Sequence, residues 1–178
     1  MPIRDSAWSA EDQSAMGPVT VRPARPEEYD AVGDLTVDAY LKDGLLSPES
    51  SYISILRDAA DRAAEAELLV AELAGELMGA VLYCPPDSIY VEIAAPHEAE
   101  FRMLAVLAAA RGKGVGGALV RACIDRARDA GLTGLRLSTQ RNMRAAHRIY
   151  ERIGFERTPD RDWSPVPGVD LITYALVF

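Results

Sequence analysis

A chain of 178 residues, 49% hydrophobic and 26% charged, has room for one well-cored soluble domain. Its net charge of −8 argues against non-specific nucleic-acid binding, and no apolar run reaches the roughly 18 residues a membrane span requires. Cys84 and Cys123 lie far apart and only two histidines are present, which argues against a disulfide framework or a metal site and fits a reducing cytoplasm.

In chain order, residues 1–18, MPIRDSAWSAEDQSAMGP, lack the apolar core of a signal peptide and read as a mobile tail before a single domain over 19–178. VTVRPA alternates as a first strand. Pro26, with Glu27 and Glu28 in the first turn, opens a helix whose apolar stripe is Val32, Leu35 and Ala39. Ser47-Pro48 opens a second, with Tyr52, Leu56, Ala59 and Ala63 on one face. ELLVAEL, a turn at Ala74-Gly75-Glu76, and LMGAVLYC read as a hairpin.

EFRMLAV is the next strand. It runs through LAAARGKGVGG into a helix with Leu119, Val120, Cys123, Ile124 and Ala127 toward the core and Gly131 as its stop. LRLST follows, and the helical crossover makes it parallel to EFRMLAV. Met143, Ala146, Tyr150 and Ile153 recur at helical spacing up to Gly154. Two last strands, FERT and LITYALVF, flank a loop over 159–170. The order β-α-α-β-β-β-α-β-α-β-β gives an α/β class with a mixed sheet.

Four glycines in the seven residues Arg111–Gly117 mean a main chain that comes close to something. The run contains G-x-G-x-x-G, but a dinucleotide fingerprint belongs in the first βα turn, with an acidic residue about 20 positions on. Here four strands precede the loop and LRLSTQ offers no acid. The alternative parsing, Arg111-x-x-Gly114-x-Gly116 between a strand and a helix, makes an anion-binding nest on a helix N-terminus. Charge agrees. Residues 100–152 hold eleven Lys/Arg against four Asp/Glu, a balance of +7, so the remainder of the chain carries −15. An anionic ligand suits this half and a cationic one the rest.

FRMLAV…RGKGVGGALV followed by AAHRIYERIGF resembles the GNAT superfamily of acetyl-coenzyme A-dependent N-acetyltransferases, over roughly residues 19–178. The resemblance implies an open, strongly twisted mixed sheet of six to seven strands flanked by about four helices, its two central parallel strands splaying to admit acetyl-CoA. It places Leu104, Ala105 and Val106 against the pantetheine arm. The pyrophosphate falls on the N–H groups of Arg111, Gly112, Lys113, Gly114, Val115, Gly116 and Gly117. The family often has an asparagine where Met143 stands; Asn142, one place early, is either a cofactor contact or a helix cap.

Acetyl transfer to an amine needs a base, an oxyanion donor and an acid for the leaving thiolate. By resemblance Glu100, six residues before Val106, serves as base directly or through a water, with Glu92, Glu98 and His97 as alternatives. Tyr150, at the family's A-x-x-[LI]-Y position, serves as acid. Unless a bulge intervenes, Glu100, Arg102 and Leu104 share one face of their strand. Cys84 reads as a buried small hydrophobe rather than a nucleophile. The substrate groove falls to Tyr29, Asp38, Tyr40, Asp43, Tyr52, Tyr90, Glu92, His97 and Trp163. Their acidic surroundings suit a cationic small-molecule or peptide amine, although the aromatic residues also suit an aromatic one. A homodimer is compatible with this reading, and a non-catalytic acyl-CoA sensor of the same fold is the alternative.

Overall fold

The computed structural model describes residues 18–178; except for Pro18, the tail expected over 1–18 lies outside the described residues. The elements are β1 (Thr20–Pro23), α1 (Tyr29–Lys42), α2 (Tyr52–Arg57), α3 (Ala59–Glu65), β2 (Glu67–Leu73), β3 (Glu76–Cys84) and β4 (Glu98–Val106). There follow α4 (Val115–Asp129), β5 (Gly134–Gln140), α5 (Arg144–Ile153), β6 (Glu156–Arg157), β7 (Trp163–Val166) and β8 (Val169–Val177). The sheet runs β1-β2-β3-β4-β5-β8-β6, with β7 paired to β8. Every pairing is antiparallel except β4 with β5. No helix among the described residues is long and apolar enough to cross a membrane.

Two elements differ from the sequence expectation, giving eight strands and five α-helices among the described residues. The second helix breaks into α2 and α3 at Asp58, whose backbone leaves the helical region and whose carboxylate accepts from Asp61 N (3.0 Å) to cap α3. Close packing of α1 reinforces the break, because a Cβ on Gly33 would lie 2.1 Å from the Arg57 carbonyl oxygen. The segment 159–170, expected as a loop, contains β7, where the Trp163 indole donates to Ser138 Oγ (3.0 Å) and ties the strand across β5.

Helices cover both faces of the sheet. Leu119, Val120, Cys123, Ile124 and Ala127 of α4 pack with Phe101, Leu135, Leu137, Tyr150 and Phe155 on one side. On the other, Val32, Leu35 and Ala39 of α1 pack with Val70, Leu82 and Ala105. Of the α5 stripe only Tyr150 is fully buried; Ala146 and Ile153 are half-buried.

The β4–β5 pairing is short. Glu98, Ala99 and Glu100 face Gly134, Leu135 and Arg136, and the ladder stops there. From Phe101 onward β4 is paired only to β3, and β5 from Leu137 only to β8. Below the parting, Arg136 Nε donates to Glu98 Oε2 (2.6 Å), while Glu98 Oε1 accepts from Ala95 N (3.0 Å). Above it, β4 carries a bulge: Ala80 faces Ala105 and Leu82 faces Arg102, so two β4 residues oppose one on β3, and Met103 takes φ +56. The bulge returns Leu104 and Val106 to the α4–α5 side with Phe101 and leaves Ala105 facing α1. Leu104 therefore parts company with Glu100 and Arg102, contrary to simple alternation.

The Glu98–Arg136 pair is largely buried, so removing one charge strands the other. Glu98→Gln is expected to lower unfolding stability by about 3 kcal/mol in urea titration. Asp38→Asn, which breaks the exposed pair with Lys42, should change it by less than about 0.5 kcal/mol.

Candidate functional site

The glycine-rich loop uses its glycines for three different purposes. Gly112 (φ +73) and Gly114 (φ +82) supply left-handed backbone that turns the chain into α4. Gly116 allows close helix packing, since a Cβ there would sit 2.9 Å from Ile149 Cδ1 of α5. Gly117 lies under the Arg121 guanidinium, with Nη1 3.1 Å from where its Cβ would be. The Arg111 and Lys113 N–H groups are already spent on Ala108 O and Ala110 O (3.2 and 3.3 Å). Those of Gly112, Gly114, Val115, Gly116 and Gly117 have no carbonyl partner among the described residues. They stand at the N-terminus of a fifteen-residue helix, where the macrodipole adds about half a positive charge.

These groups border a cavity of about 1020 Å³ between α4, α5 and the unpaired part of β4, lined by Leu104, Val106, residues 111–117 and Asn142. Ala105, expected here as well, is buried on the opposite face. Asn142 is exposed at the cavity wall and does not cap α5, whose N-cap is Met143 without a side-chain bond. Sequence reasoning missed the arginines of the same wall. Lys113, Arg121, Arg144, Arg148 and Arg152 line the cavity with no ion pair among the described residues, whereas Arg111 pairs with Asp43. Arg144, Arg148 and Arg152 recur every four residues, a spacing that by itself puts them on one helix face.

Across β4 lies a second group of buried and half-buried side chains. Glu100 is 1% exposed. Its Oε2 accepts from Glu92 N (2.7 Å) and Ile93 N (3.2 Å), pinning the segment before β4. Burial raises its pKa above the ordinary carboxylate value, against the opposing pull of those N–H groups. Arg102 pairs with Glu92 (2.9 Å) and donates to Tyr90 O (3.1 Å). Tyr40, Tyr52 and Tyr90 are half-buried around Met103, Val37 and Leu56.

Tyr150, on α5, is 2% exposed, its ring 5.8 Å from those of Phe101 and Tyr174. Burial pushes its phenol far above the ordinary value, so it stays protonated through neutral pH. Its hydroxyl has no hydrogen-bond partner among the described residues. Of the other residues named from sequence, Glu98 is held by Arg136, and Asp38 pairs with Lys42 on the surface. His97 is exposed at the start of β4, at the far end of the strand from the glycine loop. Cys84 is buried, its thiol pushed up to about 12 by burial, which leaves it unreactive.

The sequence model of the acetyltransferase (GNAT) family matches residues 29–155. The fold is similar to that of a GNAT family acetyltransferase from Brucella melitensis in complex with acetyl-CoA, at 24% identity and TM-score 0.60 over 90% of this chain and 88% of that one. It is also similar to a GCN5-related N-acetyltransferase from Kribbella flavida (23% identity, TM-score 0.65, 90% and 98% covered). An acetyltransferase of the GNAT family from Staphylococcus aureus Mu50 superimposes at TM-score 0.71 with 12% identity, covering 90% and 99%. A comparison with curated proteins finds no match to the sequence.

The raised pKa of Glu100 has a definite sign in stability. A carboxyl that holds its proton more tightly when folded stabilises the fold below the unfolded value, and this contribution is lost as pH rises through the folded one. Glu100→Gln should remove that loss. The stability difference between variant and wild type, followed by urea denaturation across the acid range, should shift in favour of the variant as pH rises above about 4.5.

Proposed function

The chain belongs to the acetyltransferase (GNAT) family, and from that premise we propose that it moves an acetyl group from acetyl-CoA to a primary amine by direct transfer in a ternary complex. The observation that carries this reading is the one-sided pairing of β4 beyond Glu100, leading into a helix N-terminus with five N–H groups that have no carbonyl partner among the described residues. Those N–H groups hold the pyrophosphate, and the arginines of α4 and α5 that line the cavity screen the remaining phosphate charge. Leu104 and Val106 present the free edge of β4 to the pantetheine arm, whose amides replace the missing strand.

The acceptor arrives mostly as an ammonium, drawn to the acidic half of the chain, and must lose a proton before it attacks. Glu100 takes that proton through a water at the carboxylate oxygen not engaged by Glu92 and Ile93; its raised pKa makes it a better base than an ordinary surface carboxylate. A backbone N–H on the free edge of β4 steadies the tetrahedral oxyanion. Tyr150, at the position the family resemblance marks for the acid, donates its phenolic proton to the departing thiolate. A second reading, an acyl-CoA sensor without turnover, draws on the same Glu100: a carboxylate 1% exposed and tied to two backbone N–H groups is also a structural pin.

Calorimetric titration with acetyl-CoA, with NADH as control, is expected to show saturable binding of the thioester alone; the reverse result overturns the reading. Gly114→Asp should weaken acetyl-CoA binding at least about tenfold. Nothing lies within 4 Å of a Cβ at Gly114, so the loss would come from a strained φ and a negative charge beside the phosphates. In a thiol-release assay, Tyr150→Phe and Glu100→Gln should each slow turnover by at least about tenfold, or 1.4 kcal/mol of barrier. Binding without release by the wild type across an amine panel favours the sensor.

A further inference from the structure

The transfer as proposed leaves one contact at the cofactor cavity without a role. α1 ends in a Schellman turn: Gly44, at φ +68, donates to Leu41 O (3.1 Å), and Leu45 N donates to Tyr40 O (3.0 Å). Asp43 is the C-cap residue of that helix. A carboxylate there adds to the negative end of the macrodipole and is unfavourable without a cation. Lys42, its neighbour in sequence, pairs with Asp38. Arg111 of the glycine loop supplies the cation instead, from 68 positions along the chain.

This capped end touches three parts of the molecule. Asp43 and Leu45 line the cofactor cavity together with the glycine loop and the α5 arginines. The Leu45 carbonyl accepts from Gln140 Nε2 (3.3 Å), so the turn reaches from the loop after β4 to the last residue of β5. Leu46, the next residue, packs with Tyr52, Tyr90 and Met103 on the other side of β4. A shift of the turn is therefore felt on both sides of the strand. Arg111 has two claimants here. Asp43 holds it, and a pyrophosphate on the neighbouring N–H groups would draw on the same cation while being repelled by the carboxylate.

On the reading that the glycine loop takes the cofactor's phosphates, we propose that the end of α1 is an electrostatic latch in which Asp43 and those phosphates compete for Arg111. Cofactor binding transfers the guanidinium to the phosphates and releases the turn at Gly44 and Leu45. That loosens the wall shared by the cavity and the cluster around Tyr52 and Tyr90. Departure of the cofactor returns Arg111 to Asp43. Linkage makes the effect reciprocal, so a latched turn holds the cofactor less tightly than a released one.

Calorimetry and hydrogen–deuterium exchange on the full chain test the latch. Asp43→Asn is expected to tighten acetyl-CoA binding at least about threefold, an effect that added salt diminishes. Asp34→Asn, which removes the same charge from an exposed pair between α1 and Arg57, should change it by less than about 1.5-fold. In an Arg111→Gln background Asp43→Asn should tighten binding less, as two groups that act on each other require in a double-mutant cycle. Exchange at the Gly44 and Leu45 amides should rise at least about threefold when acetyl-CoA binds. ADP at saturation, which carries the pyrophosphate without the pantetheine arm, should produce the same rise, and Arg111→Gln should abolish it. Five results overturn the latch and leave the acetyltransferase reading standing. They are unchanged or weaker binding by Asp43→Asn, equal tightening by Asp34→Asn, additivity in the cycle, no rise or a fall in exchange, and a rise that ADP does not reproduce or that survives Arg111→Gln. Absence of acetyl-CoA binding by the wild type overturns that reading, and the latch with it.

Discussion

The structure depends on a single point at which two parallel strands stop pairing. β4 and β5 share three residue pairs and then separate, and an unpaired stretch of central strand is expensive unless something fills the gap. The separation is fixed from both ends. Beneath it, the Glu98–Arg136 pair ties the strands together; beyond it, the left-handed backbone at Met103 turns β4 by one residue. A straight, fully paired β4 would close the sheet and leave the loop at the N-terminus of α4 facing nothing.

The same bulge explains how one strand presents two chemically different faces. Phe101, Leu104 and Val106 face the helices α4 and α5, where the cavity wall is cationic. Glu100 and Arg102 face the segment before β4 and the tyrosines of α1 and α2, where charges of both signs are set against each other. The basic stretch between residues 100 and 152 supplies the cationic cavity wall on one side of the strand and, through Arg102, a cation on the other. The loop after α1 spans them: Asp43 pairs with Arg111, and Gln140 Nε2 donates to Leu45 O (3.3 Å).

The electrostatic state of the two groups proposed to react, Glu100 and Tyr150, follows from burial more than from pairing. Burial is the largest cause of the raised Tyr150 pKa, in a ring cluster with Phe101 and Phe155. Glu100 is pulled both ways, upward by burial and downward by the N–H groups it accepts, with burial the larger effect.

Much of this was written locally in the chain. The α4 stripe, the glycine loop, the parallel crossover and the resemblance to an acetyltransferase family depend on spacings within a few residues, because periodicity and backbone freedom are local properties. The strand hidden in 159–170 was not legible, since it is fixed by a distant partner through the Trp163 bond to Ser138; the break at Asp58 is capped locally by its own carboxylate and reinforced from afar by the Gly33 contact with Arg57. Nor did alternation reveal that Leu104 leaves the face of Glu100, because a bulge is set by the opposing strand. Arg62 sits between Ala59 and Ala63 of an apolar stripe and carries no signal of its own; its burial, with Nη1 on the Ile55 and Leu56 carbonyls, exists only once α2 and α3 have met. The sequence by itself determined which segments could form and where an anion could bind. Which charges face one another across β4 was decided only by tertiary packing, since burial and charge pairing are set by residues far apart in the chain.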